Sequence, residues 1–127
     1  MAGYSGTPLP RKLGIGEHSR VRLLAAPEGF AQSIGVVPRA RGQADVIVAF
    51  FTSRARLTKQ FAGLRATLDP AGALWIAWPK KASGVATDLD ENIVREIGLE
   101  ERLVDNKVCA IDDVWSGLRF VVRLKDR

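Results

Sequence analysis

An α/β domain with a mixed sheet, parallel at its centre, is the fold class this sequence predicts. Three observations carry the prediction. Val46 to Phe51 and Ala73 to Trp78 are short, uninterrupted apolar runs, the pattern of strands buried on both faces. Between them Leu57, Phe61, Leu64 and Leu68 recur at spacings of four, three and four, one stripe of an amphipathic helix. Strands alternating with helices imply parallel pairing at the centre. Finally, only six residues, Asp112 to Gly117, separate the last two extended segments. A parallel crossover needs about a dozen or more, so that pair is antiparallel.

The elements follow in order. Residues 1–6, rich in Gly and Ser, are a leader. Thr7-Pro8 then offers an N-cap with Pro at the first helical position, and Gly14 ends a short turn containing Leu9 and Leu13. This leader and turn, residues 1–12, precede a single domain over 13–127. Val21 to Ala26 is a first strand, and Val36 to Ala40 a weaker extended segment broken by Pro38. Thr52 or Ser53 caps the first long helix, Arg54, Arg56, Lys59 and Arg65 wet its outer face, and Asp69-Pro70 stops it. After the strand Ala73 to Trp78 and a polar loop, Thr87-x-x-Asp90 and Asp88-x-x-Glu91 both resemble a capping box. Leu89, Ile93 and Ile97 align on one face of the second helix, and Gly98 is its expected stop. Val104 with Val108 to Ile111, and then Leu118 to Leu124, complete a sheet of about six strands.

Composition narrows the chemistry. The 127 residues contain one cysteine and one histidine, which excludes an internal disulfide framework and leaves almost nothing for a transition-metal site. Any Ser-His-Asp hydrolase would rest on His18 alone. No segment reaches the roughly 18 apolar residues needed to cross a bilayer, and Met1 to Pro10 has no apolar signal core, so the expected compartment is the cytoplasm, with no membrane partner. Net charge is +5, and it is uneven: residues 1–65 hold ten basic and three acidic side chains, residues 66–127 nine and eleven. Thirteen of the cations are arginines, the side chain suited to bidentate phosphate contacts. A basic solvated surface explains this too. No run of basic residues exceeds two, and no aromatics are interleaved with them, unlike single-strand nucleic-acid platforms.

Three motifs resemble Rossmann-like S-adenosylmethionine methyltransferases: Leu13-Gly14-Ile15 to Leu24, the turn Ala25-Ala26-Pro27-Glu28-Gly29-Phe30, and Leu68-Asp69-Pro70-Ala71-Gly72-Ala73-Leu74. The whole chain, including Trp78-Pro79-Lys80-Lys81-Ala82-Ser83-Gly84, Val104 to Cys109 and Trp115-Ser116-Gly117-Leu118, is similar to a small bacterial family of unknown function. The first resemblance implies a three-layer Rossmann-like domain, with the cofactor over a glycine-rich turn after the first strand. It also implies an acid at the carboxyl end of a second, parallel strand, holding the cofactor ribose. The residues depart from that pattern. Leu24 and Glu28 stand where glycines are usual in the RNA-methylating members, and no Asp or Glu lies between Gly29 and Gln43. Only Arg41 to Asp45 links residues 36–40 to the next strand, and four or five residues reach at most about 18 Å. Keeping parallel sense requires about 17 Å along the strand and roughly 10 Å sideways, a path of about 20 Å. Residues 36–40 are therefore an antiparallel or irregular edge segment, as Pro38 suits.

Ligands of open α/β sheets sit outside the carboxyl ends of the parallel strands. Four loops gather there: Pro27 to Phe30, Thr52 to Arg54, Pro79 to Ser83 and Asp112 to Ser116. The candidate ligand contacts are Pro27, Gly29, Phe30, Arg54, Lys80, Lys81, Ser83, Gly84 and Trp115, with the Lys80 to Gly84 loop as a potential anion cradle. The same loop also reads as a plain solvated connection, and Trp115 as packing under its turn. Trp75 and Trp78 belong to opposite faces of one strand, Cys109 to the interior and His18 to the surface. Asp112 and Asp113 fit turn-forming hydrogen bonds better than a two-carboxylate site. Lys107 reads as a strand-edge cation paired with Asp105, away from the ligand loops. The leading expectation is a non-catalytic domain, without cofactor, that binds an anionic ligand or a protein partner. An S-adenosylmethionine-dependent methyltransferase acting on RNA or a small molecule, with Lys80 as an electrostatic or base residue, is the first alternative. Nucleic-acid binding, resting on charge alone, is the second.

Overall fold

The computed structural model describes residues 7–127, so the leader, residues 1–6, lies outside the described residues. Five strands form one sheet: β1 (Val21–Leu24), β2 (Ala44–Phe50), β3 (Leu68–Pro79), β4 (Leu103–Ala110) and β5 (Trp115–Val122), in spatial order β1-β2-β3-β5-β4. The pairs β1/β2 and β2/β3 are parallel, whereas β3/β5 and β5/β4 are antiparallel. Four α-helices cover it: α1 (Leu9–Lys12), α2 (Phe30–Ser33), α3 (Arg54–Ala66) and α4 (Glu91–Glu100). The predicted parallel centre and antiparallel C-terminal pair are both present.

Apolar periodicity accounts for the layers. Leu57, Phe61 and Leu64 of α3 and Val94 and Ile97 of α4 pack against Ile47, Leu74, Ile76, Leu118 and Phe120 on one face of the sheet. On the other face the short helices bring Leu13, Phe30 and Ile34 against Val46, Val48, Phe50 and Trp75. The unbroken run of β2 is thus buried on both sides, and Trp75 and Trp78 fall on opposite faces as their spacing requires. Fully burying side chains of this size stabilises by roughly 1.5–3 kcal/mol each, which makes these two layers the main source of stability. Ser53 caps α3, its hydroxyl accepting from the Arg56 N–H at 3.3 Å.

The structure corrects the expectations at several points. There are five strands among the described residues, not six, because residues 36–40 form none. Pro38 has no N–H to offer a ladder, and the segment makes one strand-like bond, from the Arg39 N–H to the Val21 carbonyl at 2.7 Å. The irregular option holds. Strand β1 ends at Leu24 because Ala25 turns to φ 54°. Strand β3 reaches back to Leu68, which pairs with Ala44 before Asp69 to Gly72 bulge out. Helix α4 starts one turn later than the capping boxes suggest: Asp90 is its cap, accepting from the Ile93 N–H at 2.9 Å. It also runs through Gly98 to Glu100, so Gly98 is an interior packing position and not the stop. Similarly, α1 takes Pro8 as its cap residue, without a side-chain bond.

One edge of the sheet is formed by β1. Strand β1 is terminal, with β2 on one side only. The Val46 N–H donates to the Arg20 carbonyl, so the even-numbered residues of β1 bond to β2. The backbone groups of Val21 and Leu23 therefore point outward, and the Arg39 bond to Val21 is the sole partner recorded there among the described residues.

Candidate functional site

The carboxyl ends of β1, β2 and β3 lie along one rim, and the connections after them build the candidate site. Two side chains tie the long loop after β3 to the start of α3. The Thr87 hydroxyl donates to the Thr52 carbonyl at 2.6 Å, and the Asp88 carboxylate accepts from the Arg54 N–H at 2.7 Å. The β4–β5 turn is tied in from the other side: the Lys80 N–H donates to the Val114 carbonyl at 2.7 Å, and the Lys80 ammonium to the Asp112 carbonyl at 2.6 Å. Asp112 itself accepts from the Val114 and Trp115 N–H groups, both at 2.8 Å. It is a turn former, as its sequence context suggests.

The candidate residues are distributed unevenly around this rim. Lys81 is exposed beside an open groove of about 410 Å³ formed with Gly84, Val85, Thr87 and Asp90. Arg54 is exposed at the first turn of α3, where no acid occurs. Ser83 serves the loop itself, donating to the Lys80 carbonyl at 2.6 Å and accepting from the Val85 N–H at 3.2 Å. Gly84 closes the short 3-10 turn with φ 76°, its N–H on the Lys81 carbonyl. Gly29, with φ 81°, and Pro27 shape the turn after β1, but Phe30 is buried. Its ring meets Phe50 edge to face at 5.0 Å, and Phe50 meets Trp115 in the same way at 5.1 Å. Trp115 is half-buried on this aromatic row, and Trp78 is buried in the opposite layer. The backbone of Ala25 is a feature that composition could not reveal, since alanine seldom takes positive φ and such strain collects at functional turns.

Charge at this rim is arranged by capping. Asp88, Asp90 and Asp112 place their carboxylates on backbone N–H groups, so the ion pairs recorded among the described residues leave Arg54, Lys80 and Lys81 without acidic partners. At the opposite end of the parallel strands, Arg20 bridges Asp45 at 2.8 Å and Asp69 at 3.0 Å. The hydrogen bonds from Arg20 hold the Asp45 carboxyl below its ordinary pKa. That cluster locks the β2–β3 bulge and lies away from the rim loops. No group of His, Cys, Asp or Glu among the described residues is arranged to hold a metal ion. No helix among them is long and apolar enough to cross a membrane.

No family model matches the chain, and no curated protein matches its sequence. Solved structures do match. The magnesium protoporphyrin IX methyltransferase of Synechocystis PCC 6803, solved with bound SAM, superposes on 67% of this chain with TM-score 0.52 and 13% identity. A ribosomal-protein methylase from Lactobacillus delbrueckii subsp. bulgaricus matches 93% of the chain with TM-score 0.52 and 14% identity. The chain has a Rossmann-like methyltransferase fold. At these identities the likeness concerns fold alone. The chain spans 42% of the first of these proteins and 67% of the second. LepI in complex with SAM matches 91% of this chain with TM-score 0.56 and 8% identity, and so does a protein solved as a pericyclic reaction enzyme. One fold therefore serves more than one reaction class among its neighbours.

Proposed function

We propose that this chain is a non-catalytic ligand-binding domain of the methyltransferase fold, taking an anionic ligand at the carboxyl rim of β1, β2 and β3. One observation carries the reading: the sheet ends at β1. A nucleoside cofactor cradled over the β1 turn needs an acceptor for its ribose hydroxyls on the far side of that strand. Here that position belongs to irregular chain without a single Asp or Glu between Gly29 and Gln43. The turn also carries Glu28, whose charge opposes a ligand carboxylate seeking the amides at the start of α2. Arg54 and Lys81 are exposed and have no ion pair recorded among the described residues. Lys81 lines the open groove, whose carboxylates, Asp88 and Asp90, are engaged by backbone N–H groups. Of the remaining candidates, Lys80 holds the β4–β5 turn, Pro27, Gly29, Ser83 and Gly84 set loop geometry, and Trp115 packs against Phe50.

A second reading, S-adenosylmethionine-dependent methyl transfer to RNA or a small molecule, is favoured by the likeness to two methylases and to structures solved with SAM. Calorimetric titration separates the two. S-adenosylhomocysteine is expected to show no micromolar binding, whereas AMP, as a phosphate-bearing probe, binds and loses affinity in Lys81→Ala at unchanged melting temperature. Lys80→Ala is the poorer variant, because it also removes the bond to the Asp112 carbonyl. Micromolar S-adenosylhomocysteine binding would establish the second reading in place of the first, and an AMP response equal in Lys81→Ala would remove the groove from the site.

A further inference from the structure

Two cations face each other across the antiparallel pair β4/β5. Lys107 and Arg119 are register partners, which places their Cβ atoms about 4.5–5.5 Å apart on the same face. Like charges directly opposite destabilise a sheet, so this pairing calls for a counter-charge. None is present. Asp105, two residues from Lys107, points to the other face because the register shifts at Asn106, and it bonds Arg95 at 2.9 Å. Asp45 and Asp69, which line the pocket next to Arg119, are both held by Arg20. Residues 1–6 contain no Asp or Glu.

Arg119 is moreover not a freely solvated arginine. Its guanidinium is half-buried, and one nitrogen donates to the Asn106 side chain at 3.1 Å. Burial, together with the charge of Arg127, lowers its affinity for its own proton. Beside it opens a pocket of about 170 Å³ whose two carboxylates, Asp45 and Asp69, are taken up by Arg20. A planar fork of donors with a second cation directly across the strand pair, and no ion pair to either recorded among the described residues, fits tetrahedral oxyanions.

We propose that the β4–β5 face carries a binding site for phosphoryl groups, with Arg119 as the bidentate contact and Lys107 as the flanking charge. It is separate from the carboxyl-rim groove, which lies after β3 at the other end of the parallel strands. Inorganic pyrophosphate at low, constant ionic strength tests it on the full chain by amide chemical shifts. The expected shifts fall at Asn106 to Cys109 and Gly117 to Phe120. Affinity drops about tenfold to a hundredfold in Arg119→Gln, as for loss of a charged hydrogen bond, and also falls in Lys107→Gln, whose exposed side chain leaves folding untouched. Arg119→Gln without ligand should melt no lower than the parent chain, since it removes a repelled charge. Shifts elsewhere only, or equal affinity in both variants, would overturn the site. A short single-stranded RNA distinguishes the source of phosphate: binding that weakens steeply with salt and is lost in both variants assigns it to a nucleic-acid backbone. Pyrophosphate binding alone assigns it to a small phosphorylated ligand.

Discussion

Gly98→Ala is expected to destabilise the fold by about 2 kcal/mol or more, although alanine is the better helix former by about 1 kcal/mol. The glycine sits inside α4 directly over Phe120. A methyl group there would lie 2.5 Å from Phe120 Cζ and 2.7 Å from Cδ1, with Cε1 nearer still. The ring cannot retreat: Phe120 is fully buried and stands edge to face with Phe61 at 5.7 Å. Relief therefore means moving α4 off the sheet, which opens the layer formed by Val94 and Ile97. Thermal melting followed by circular dichroism should show a fall of about 8 °C for a domain of this size. An unchanged or raised midpoint would mean that α4 stands farther from β5.

The second large effect is expected at Gly72. A methyl group on it would overlap the carbonyl oxygen of Asp45 and lie 3.1 Å from both the Asp45 carbonyl carbon and the Asp69 carbonyl oxygen. These neighbours are backbone, unlike the Phe120 ring, so no rotamer change gives relief. Gly72→Ala should force β2 and β3 apart at the bulge and disturb the Arg20 bridge between Asp45 and Asp69, at about 3 kcal/mol or more. The check is the denaturation midpoint, with the slope unchanged if the fold persists. A loss below about 0.5 kcal/mol, the range of ordinary surface substitutions, would contradict the close approach.

Much of the architecture was legible because local pattern and tertiary role agree. The buried runs of β2 and β3, the α3 stripe from Leu57 to Leu64 with its Ser53 cap, and the antiparallel final pair each follow from spacing. Leu68, the stripe's expected last member, belongs instead to β3, because α3 ends at Ala66, ahead of Asp69-Pro70. The short link from Arg41 to Asp45 excluded a parallel partner beyond β1 by reach alone. Other features depend on neighbours that sequence does not display. A glycine near a helix end signals termination as readily as close packing, and only Phe120 decides the matter for Gly98. Thr87 and Asp88 have capping chemistry, but their side chains bond to Thr52 and Arg54, leaving Asp90 to cap α4. The expected Lys107–Asp105 pair assumes a regular strand, and the register shift at Asn106 turns the two side chains to opposite faces. In the candidate site, exposure of Lys81 and Arg54 was within reach of sequence reasoning. The burial of Phe30 under Phe50 and the bond of Lys80 to the Asp112 carbonyl were not, since both depend on partners far along the chain.

The functional reading depends on β1 being the last strand of the sheet, and amide hydrogen exchange tests that directly. Arg22 and Leu24, bonded to β2, are expected to be strongly protected, whereas the outward N–H groups of Val21 and Leu23 exchange orders of magnitude faster. An alternating pattern of slow and fast amides along these four residues is the predicted result. Protection of Leu23 equal to that of Leu24 would mean that another strand occupies this edge, and the case against a nucleoside cradle would fall with it.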